Sequence, residues 1–437
     1  SWNVASSPLA PNDVRCLFEF AVTDSQPNDP LSYADIVVVG LQEAYQTVSE
    51  ALFAIIGSDD TLELFSRYLV PKGYVRLSSS RMLGVLVMVF VRRQLLLYIS
   101  DTEVCTTRTG FGGWLGIKGA SSVRFKFGDL SMCFTNCHLS PHPEDNAKRT
   151  GEIRHILLTQ VFESSRLLSE MRMMDHDVLV VFGDLNFRLE DRGFDEVVEL
   201  VSKKEYEDLL LCDQLRLEQL KGDRGVSGLD YFMEMPITFP PTYKYAPGTD
   251  EFSPLGKGSA QRAPAWCDRI LWNVHERQYP TITDPNPQCV VKPEGYTIHM
   301  EPKVSDHKAV SGGLRILVDI AGFSPHIIFL LQTWWVSEDA LIVFDVAEGT
   351  VISFWDWVGL YQADFTSEKD CVHWSLTPVT KGTSVKSQCC CFSISGAEMP
   401  SRPGYYVLIY KSVEYGRVIG MSPVLPILHR ESVVSDD

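Results

Sequence analysis

At 437 residues the chain is too long for one ordinary domain and fits two or three. Hydrophobic residues make up 45% and charged residues 22%, which excludes a disordered or fibrous chain, and no apolar run approaches the ~18 residues of a membrane helix. The net charge of −17, spread along the whole chain, argues against a bulk electrostatic grip on nucleic acid; an anionic partner would have to be held by something local.

The first strands are expected at Ile36–Leu41, Val85–Val91, Ser122–Phe127, Leu130–Cys137 and Val178–Phe182, short apolar runs of the kind buried in α/β layers. Residues 145–174 carry Ile153, Ile156, Leu157 and Val161 at helical spacing with charge between them, which predicts an amphipathic helix, and a second helical region covers about 194–220. Composition shifts near Leu314–Ser324. Beyond it come alternating segments at Leu341–Phe344, Val351–Trp355, Tyr405–Tyr410 and Val418–Met421, with frequent Pro, Gly and Ser and no helical period. They predict a separate, small all-β sandwich over 322–428, after a first unit over 1–318, with 429–437 as a tail. None of the eleven cysteines forms a CxxC pair, so neither a zinc site nor a disulfide framework is expected, and a reducing, cytoplasmic setting fits best. None is followed by Arg six positions on, so the loop of cysteine-dependent phosphatases is absent.

Polar residues stand where these strands end. Asp184 and Asn186 follow the run Val178–Phe182 although both are poor strand formers; for either alone, a turn explains the choice equally well. Similar pieces recur at Trp2-Asn3-Val4, Leu41-Gln42-Glu43, Asn136-Cys137-His138, Trp266-Cys267-Asp268-Arg269 and Ser305-Asp306-His307, and six together point to a site at one edge of the layers. A hard cation such as Mg²⁺ needs few carboxylates; Glu43 is the best candidate, with Asn3 and Asp306 near it. Asp184 and Asn186 are suited to activating and orienting a water. His307 backed by Asp268 would be held in one tautomer and favoured as a cation able to stabilise charge on phosphorus, with His138 as a second donor. No Ser or Cys nucleophile is required. The chemistry suggested is metal-assisted hydrolysis of a phosphate ester by direct water attack.

The order and spelling of the pieces carry a resemblance. FGDLNFRLE, PPTYKY, APAWCDRILW and SDHK make residues 2–313 resemble an inositol polyphosphate 5-phosphatase, a branch of the DNase I / exonuclease III-like superfamily, and WDWVGLY at 355–361 resembles a SKICH domain. The resemblance implies α/β architecture, a four-layered DNase I-like sandwich followed by the small all-β sandwich. It implies Mg²⁺ at Asn3 and Glu43 with Asp306 near it, and an attacking water at Asp184 and Asn186. It implies His307 paired with Asp268, His138 on the scissile phosphate, and Tyr243 and Lys244 at a neighbouring 4-phosphate. Lys118 would sit by another phosphate, and Asn136 and Arg269 near substrate. Arg188, Asn146 and Arg149 also match family positions, but internal ion pairs explain such arginines as readily. Substrates would be phosphoinositides or soluble inositol polyphosphates, with peripheral membrane contact at the plasma membrane or endoplasmic reticulum. A protein partner would be reached through the C-terminal domain, with a monomeric chain and no nucleic acid. A superfamily endonuclease or sphingomyelinase would share the GDxN and SDH pieces but not PPTYKY and PAWCDR; a catalytically weakened adaptor is the other reading.

Phe111, Trp114 and Leu115 form a glycine-flanked apolar loop suited to an interfacial anchor. Three departures from the family pattern stand out: Ile117 where a polar Asn is usual, Ala260 near an expected Lys, with Lys257 within reach from the same loop, and Ala309 for Pro. Restoring a polar side chain by Ile117→Asn is expected to improve substrate binding or turnover by the equivalent of about 0.5–1.5 kcal/mol, measured as KM and kcat for phosphate release; an unimproved variant refutes it.

Overall fold

The computed structural model describes residues 1–18, 34–44, 59–110, 118–164, 169–222, 227–254, 261–275, 291–318, 320, 323–330, 332–377 and 388–430. Phe111, Trp114, Leu115, Ile117, Lys257 and Ala260 lie outside them.

The apolar runs become the central strands of two facing sheets. One sheet has the order Trp2–Asn3, Ile36–Gln42, Val85–Arg92, Tyr74–Met82. The other runs Met233–Glu234, Asp268–Val274, Val178–Asp184, Leu130–His138, Gly119–Phe127, Ile99–Arg108. Val87, Val89 and Val91 of the first pack against Val123, Phe125, Phe134, Val180 and Phe182 of the second, so these strands are apolar on both faces. On the outer face of the second sheet, Ile153, Ile156 and Leu157 of helix Asn146–Thr159 and Leu215 of helix Gln214–Leu220 cover Cys133, Leu179 and Val181. Helices Pro11–Phe18 and Asp60–Leu69 cover the outer face of the first through Val14, Phe18, Phe65 and Leu69. The result is the four-layered α/β sandwich expected from the motifs.

Three expected elements differ. The helix predicted over 145–174 ends at Thr159; Gln160 turns extended, and Val161–Ser164 pairs with Ser169–Arg172 as a hairpin, where Val161 and Phe162 follow their strand preference. The region 194–220 is three short helices, broken where Lys204 takes a left-handed φ of 59° and restarted where Asp213 caps the third through the Arg216 amide. Val351–Trp355 is a loop rather than a strand. Buried Asp356 accepts hydrogen bonds from the amides of Ser353 and Val413, at 3.1 and 2.8 Å, and leaves Phe354 and Trp355 exposed.

The C-terminal part is a β-sandwich. A sheet of Ile327–Leu330, Ala340–Val346 and Gln388–Ile394 faces strands Trp357–Gln362, Gly404–Ser412 and Arg417–Met421, with Ile342, Phe344, Leu360, Leu408 and Tyr410 between them. This second sheet continues the larger sheet of the first unit, because Arg417 pairs with Ser100. The seam is reinforced at three further places. The Arg417 guanidinium donates to the Leu97 carbonyl at 2.6 Å, the Arg76 amide donates to the Thr366 carbonyl at 2.8 Å, and Arg93 lies 5.7 Å over the Phe365 ring. Tyr361, Phe365, Val407, Ile409 and Val418 share one apolar cluster with Val75, Leu96 and Ile99.

Removing the seam contact by Arg417→Ala is expected to cost about 1–3 kcal/mol of stability, measured by urea denaturation, with faster amide exchange in Ile99–Arg108. A second expectation concerns acid. His176 is fully buried, its Nε2 has no partner among the described residues, and burial holds its pKa down at about 4. The unfolded chain therefore binds the extra proton between its ordinary 6.5 and about 4, so stability is full above 6.5 and falls by up to about 3 kcal/mol as pH drops through that window. His176→Phe should flatten this part of a stability-versus-pH profile.

Candidate active site

Strand register alone brings three candidate residues into line. Val178–Asp184 runs parallel to Leu130–His138 with Asp184 beside His138, and antiparallel to Asp268–Val274 with Asp184 beside Asp268. Gly183 makes this close approach possible: it takes a φ of 135°, and a Cβ there would lie 2.0 Å from the Cys137 carbonyl oxygen.

Asp184 is the hub. Its Oδ2 accepts from Asn3 Nδ2 at 2.9 Å and lies 3.3 Å from His138 Nε2 and 3.9 Å from His307 Nε2. Burial works against its charge, but the surrounding His307, His138 and Lys118 outweigh it and hold the carboxyl well below the usual range. His307 Nδ1 meets Asp268 Oδ2 at 2.9 Å. Burial opposes the imidazolium, yet the charges of Asp268 and Asp184 lift its pKa to about 9. Burial pushes the Asp268 carboxyl up. Its Oδ2 also accepts from the Thr242 hydroxyl at 2.7 Å, while its buried Oδ1 has no partner among the described residues.

Glu43 follows strand Ile36–Gln42 with a φ of 52°, which turns its half-exposed side chain toward His138, Oε1 lying 3.7 Å from Nε2. Lys118 closes on the same His138 nitrogen. Burial and the Lys118 charge hold the His138 pKa down, and burial holds Lys118 down. Asn186, at a φ of 57°, spends one N–H on the Leu139 carbonyl at 3.1 Å and its Oδ1 on Arg188, leaving one N–H and one lone pair. The two ends of the chain segment meet here: Ser305 Oγ donates to the Asn3 carbonyl at 2.6 Å and Trp2 Nε1 to the His307 carbonyl at 3.0 Å, which seats Ser305-Asp306-His307 against Trp2-Asn3.

Tyr243 lies on the His307 ring with centroids 4.3 Å apart, Arg188 sits 4.7 Å from the centre of the Tyr243 ring, and Arg262 donates to its hydroxyl at 2.7 Å. Lys244 Nζ is 3.5 Å from Asp306. Carboxylate oxygens of Glu43 and Asp184 converge on His138 Nε2, Asn3 meets Asp184 through its amide nitrogen while its Oδ1 accepts from the Ala5 amide at 2.9 Å, and Asp184, Asp268 and His307 offer ligand atoms within 4.8 Å of one another. Asp268 and His307 are committed to each other, so the half-exposed Glu43 carboxylate with Asn3 is the better fit for a hydrated divalent ion.

Two candidates do not face this site. Arg269 is 1% exposed and its guanidinium is taken by Asp213 at 2.9 Å and Glu234 at 2.7 Å; an internal ion-pair network, not a phosphate, accounts for it. Asn136 is buried between the two sheets and binds protein groups only. Arg149 likewise serves the carbonyls of Ser140 and His142 and the Gln214 side chain, and Asn146 bonds Glu218. Sequence reasoning assigned no role to Thr242, which stands inside PPTYKY, or to Arg262, which immediately precedes APAWCDR.

Residues 1–313 match the endonuclease/exonuclease/phosphatase family 2, and residues 328–427 match the SKICH domain. The human phosphatidylinositol 4,5-bisphosphate 5-phosphatase A is 31% identical over 97% of this chain, which spans 40% of that relative's length. The mouse inositol polyphosphate 5-phosphatase K is 31% identical over 97% of this chain and 87% of its own length. The crystal structure of the inositol polyphosphate 5-phosphatase domain of SPsynaptojanin, in complex with inositol (1,4)-bisphosphate and calcium ion, superposes at a TM-score of 0.54 with 26% identity, covering 73% of this chain and 84% of that one. The chain therefore belongs to the endonuclease/exonuclease/phosphatase family 2, in its inositol polyphosphate 5-phosphatase branch, with a SKICH domain following the catalytic fold.

Proposed function

We propose that the chain hydrolyses the 5-phosphate of phosphoinositides, phosphatidylinositol 4,5-bisphosphate and the 3,4,5-trisphosphate among them, and of soluble inositol polyphosphates. The observation that carries this is the alignment of His138, Asp184 and Asp268 across three strands, with His307 bonded to Asp268 and Asn3 bonded to Asp184. A water held between Asp184 and the free groups of Asn186 attacks phosphorus. Its proton passes to Asp184 as the new P–O bond forms and the bond to the inositol oxygen breaks, and that oxygen takes a proton from solvent water to leave as the hydroxyl. The His307 imidazolium, kept charged by Asp268 and Asp184, stabilises the negative charge on the phosphoryl oxygens, and His138 with Lys118 orients them. Asn3 and Glu43, with Asp306 near them, would hold Mg²⁺, which when bound neutralises phosphate charge. Tyr243, Lys244 and Arg262 form the cationic and aromatic wall suited to a neighbouring phosphate.

Residues 1–318 form the catalytic unit in this reading and 322–428 the SKICH unit, whose role is to engage a membrane or protein partner; the chain acts as a cytoplasmic monomer recruited peripherally. No described helix is long and apolar enough to cross a membrane. The amide of Thr109 donates to the Lys118 carbonyl at 3.1 Å, which ties these two described residues together beside the site. Phe111, Trp114 and Leu115, apolar and glycine-flanked in the sequence between them, would serve as an interfacial anchor close to a lipid head group.

Phosphate release from short-chain phosphatidylinositol 4,5-bisphosphate should require a divalent cation, be abolished by EDTA, and fall about 10²–10⁴-fold in Asp184→Ala. EDTA-resistant release, or none from the well-folded chain, refutes the proposal.

A further inference from the structure

We propose that Asn136 is a positioning residue for Glu43, holding the end of one sheet that carries the cation-binding carboxylate in register with the end of the other that carries His138 and Asp184; this rests on Glu43 being a cation ligand. Asn136 lies two residues before His138 on strand Leu130–His138, yet its side chain crosses to the facing sheet. Its two N–H groups donate to the carbonyls of Leu41 at 2.9 Å and Leu86 at 2.8 Å, which are themselves paired across adjacent strands. Its Oδ1 accepts from Gln42 Nε2 at 2.5 Å. Leu41 and Gln42 are the two residues immediately before Glu43, and Gln42 is also the strand partner of Asn3. One amide thus grips the backbone and side chain leading directly into both proposed ligands.

The surroundings are built to admit it. A Cβ on Gly40 would lie 2.9 Å from Asn136 Cγ and 2.2 Å from the Phe182 ring, and one on Gly183 would lie 2.9 Å from Asn136 Oδ1. A polar group among Phe182 and its valine neighbours is costly unless every hydrogen bond is met, and here both donors and the acceptor are met. A directional three-point bond fixes the relative height of two sheets in a way that apolar packing, which tolerates sliding, does not. The left-handed turn at Glu43 then starts from a fixed point, so its carboxylate is aimed rather than free to swing.

The test measures Mn²⁺ binding to the full chain by electron paramagnetic resonance, with no substrate present, in Asn136→Leu, Asn136→Asp, Glu43→Gln and Ser121→Ala. Ser121 Oγ bonds Ser80 Oγ at 2.8 Å, a second buried bond between the same two sheets that does not lead to Glu43. Mn²⁺ affinity is expected to fall about 10–100-fold in both Asn136 variants, and to be unchanged in Ser121→Ala even though its melting temperature drops. Asn136 variants that melt earlier but bind Mn²⁺ as wild type does would overturn the positioning role, and so would an equal loss of affinity in Ser121→Ala. If neither Asn136 variant folds, Gln42→Met, which removes the bond to Oδ1 together with the 3.2 Å bond from Gln42 to Ser1 Oγ, is measured the same way; unchanged affinity overturns the inference. If Glu43→Gln binds Mn²⁺ normally, the assignment of Glu43 as ligand falls and the inference with it. If Glu43→Gln is weakened and the Asn136 variants are not, the positioning role alone falls.

Discussion

Asp184 and Asp268 face each other across neighbouring strands with almost no access to water. Two buried like charges at that spacing would ordinarily drive one of them to take up a proton. His307 opposes this: it bonds one carboxylate directly and lies near the other, and its own charge is sustained by both. The group that makes the paired carboxylates tolerable is thereby kept cationic and poised where a phosphoryl group would carry negative charge. The rest of the site is arranged around this three-body balance, including the Thr242 hydroxyl beneath Asp268, the Tyr243 ring over His307 and the Asn3 amide on Asp184.

The same balance resolves the contrast between a chain of net charge −17 and the polyphosphate ligand proposed for it. Exposed basic side chains such as Arg67, Lys148 and Arg315 are paired with neighbouring acids, whereas Lys118, Lys244, Arg188, Arg262 and His307 gather at the site. Each is set against a carboxylate, an aromatic ring or a neighbouring site side chain that keeps it in place. Other basic groups that look similar in the sequence are spent inside the protein. Arg269 locks Asp213 and Glu234 together under the site, and Arg149 gathers carbonyls of the segment 140–142.

What was legible in the sequence, and what was not, follows from range. Apolar runs such as Val178–Phe182 announce strands because burial on both faces leaves no room for polar residues, and polar residues placed at their ends mark the working edge. Which polar residue looks outward depends on the partner strand. Asn136 and His138 stand on one strand, yet one bonds across to the facing sheet and the other meets Lys118. Arg188 and Arg269 belong to equally distinctive motifs, yet Asp213 and Glu234, 56 and 35 residues away from Arg269, decide that it is internal. The helix that stops at Thr159 shows the complementary limit: the helical period of apolar residues continues to Val161, but strand preference and a local hairpin partner win.

The pairing of Arg417 with Ser100 joins the SKICH strands to the sheet that carries Asp268 and Asp184. Between Arg417 and Asp184 lie only strands Ile99–Arg108, Gly119–Phe127 and Leu130–His138, so a single hydrogen-bonded ladder leads from one domain to the catalytic hub. A module on a flexible tether would raise only the local concentration of the enzyme at whatever it grasps. A module built into the sheet does something else: it sets a compass bearing. Any surface that the SKICH domain were to grip would determine which way the candidate site points.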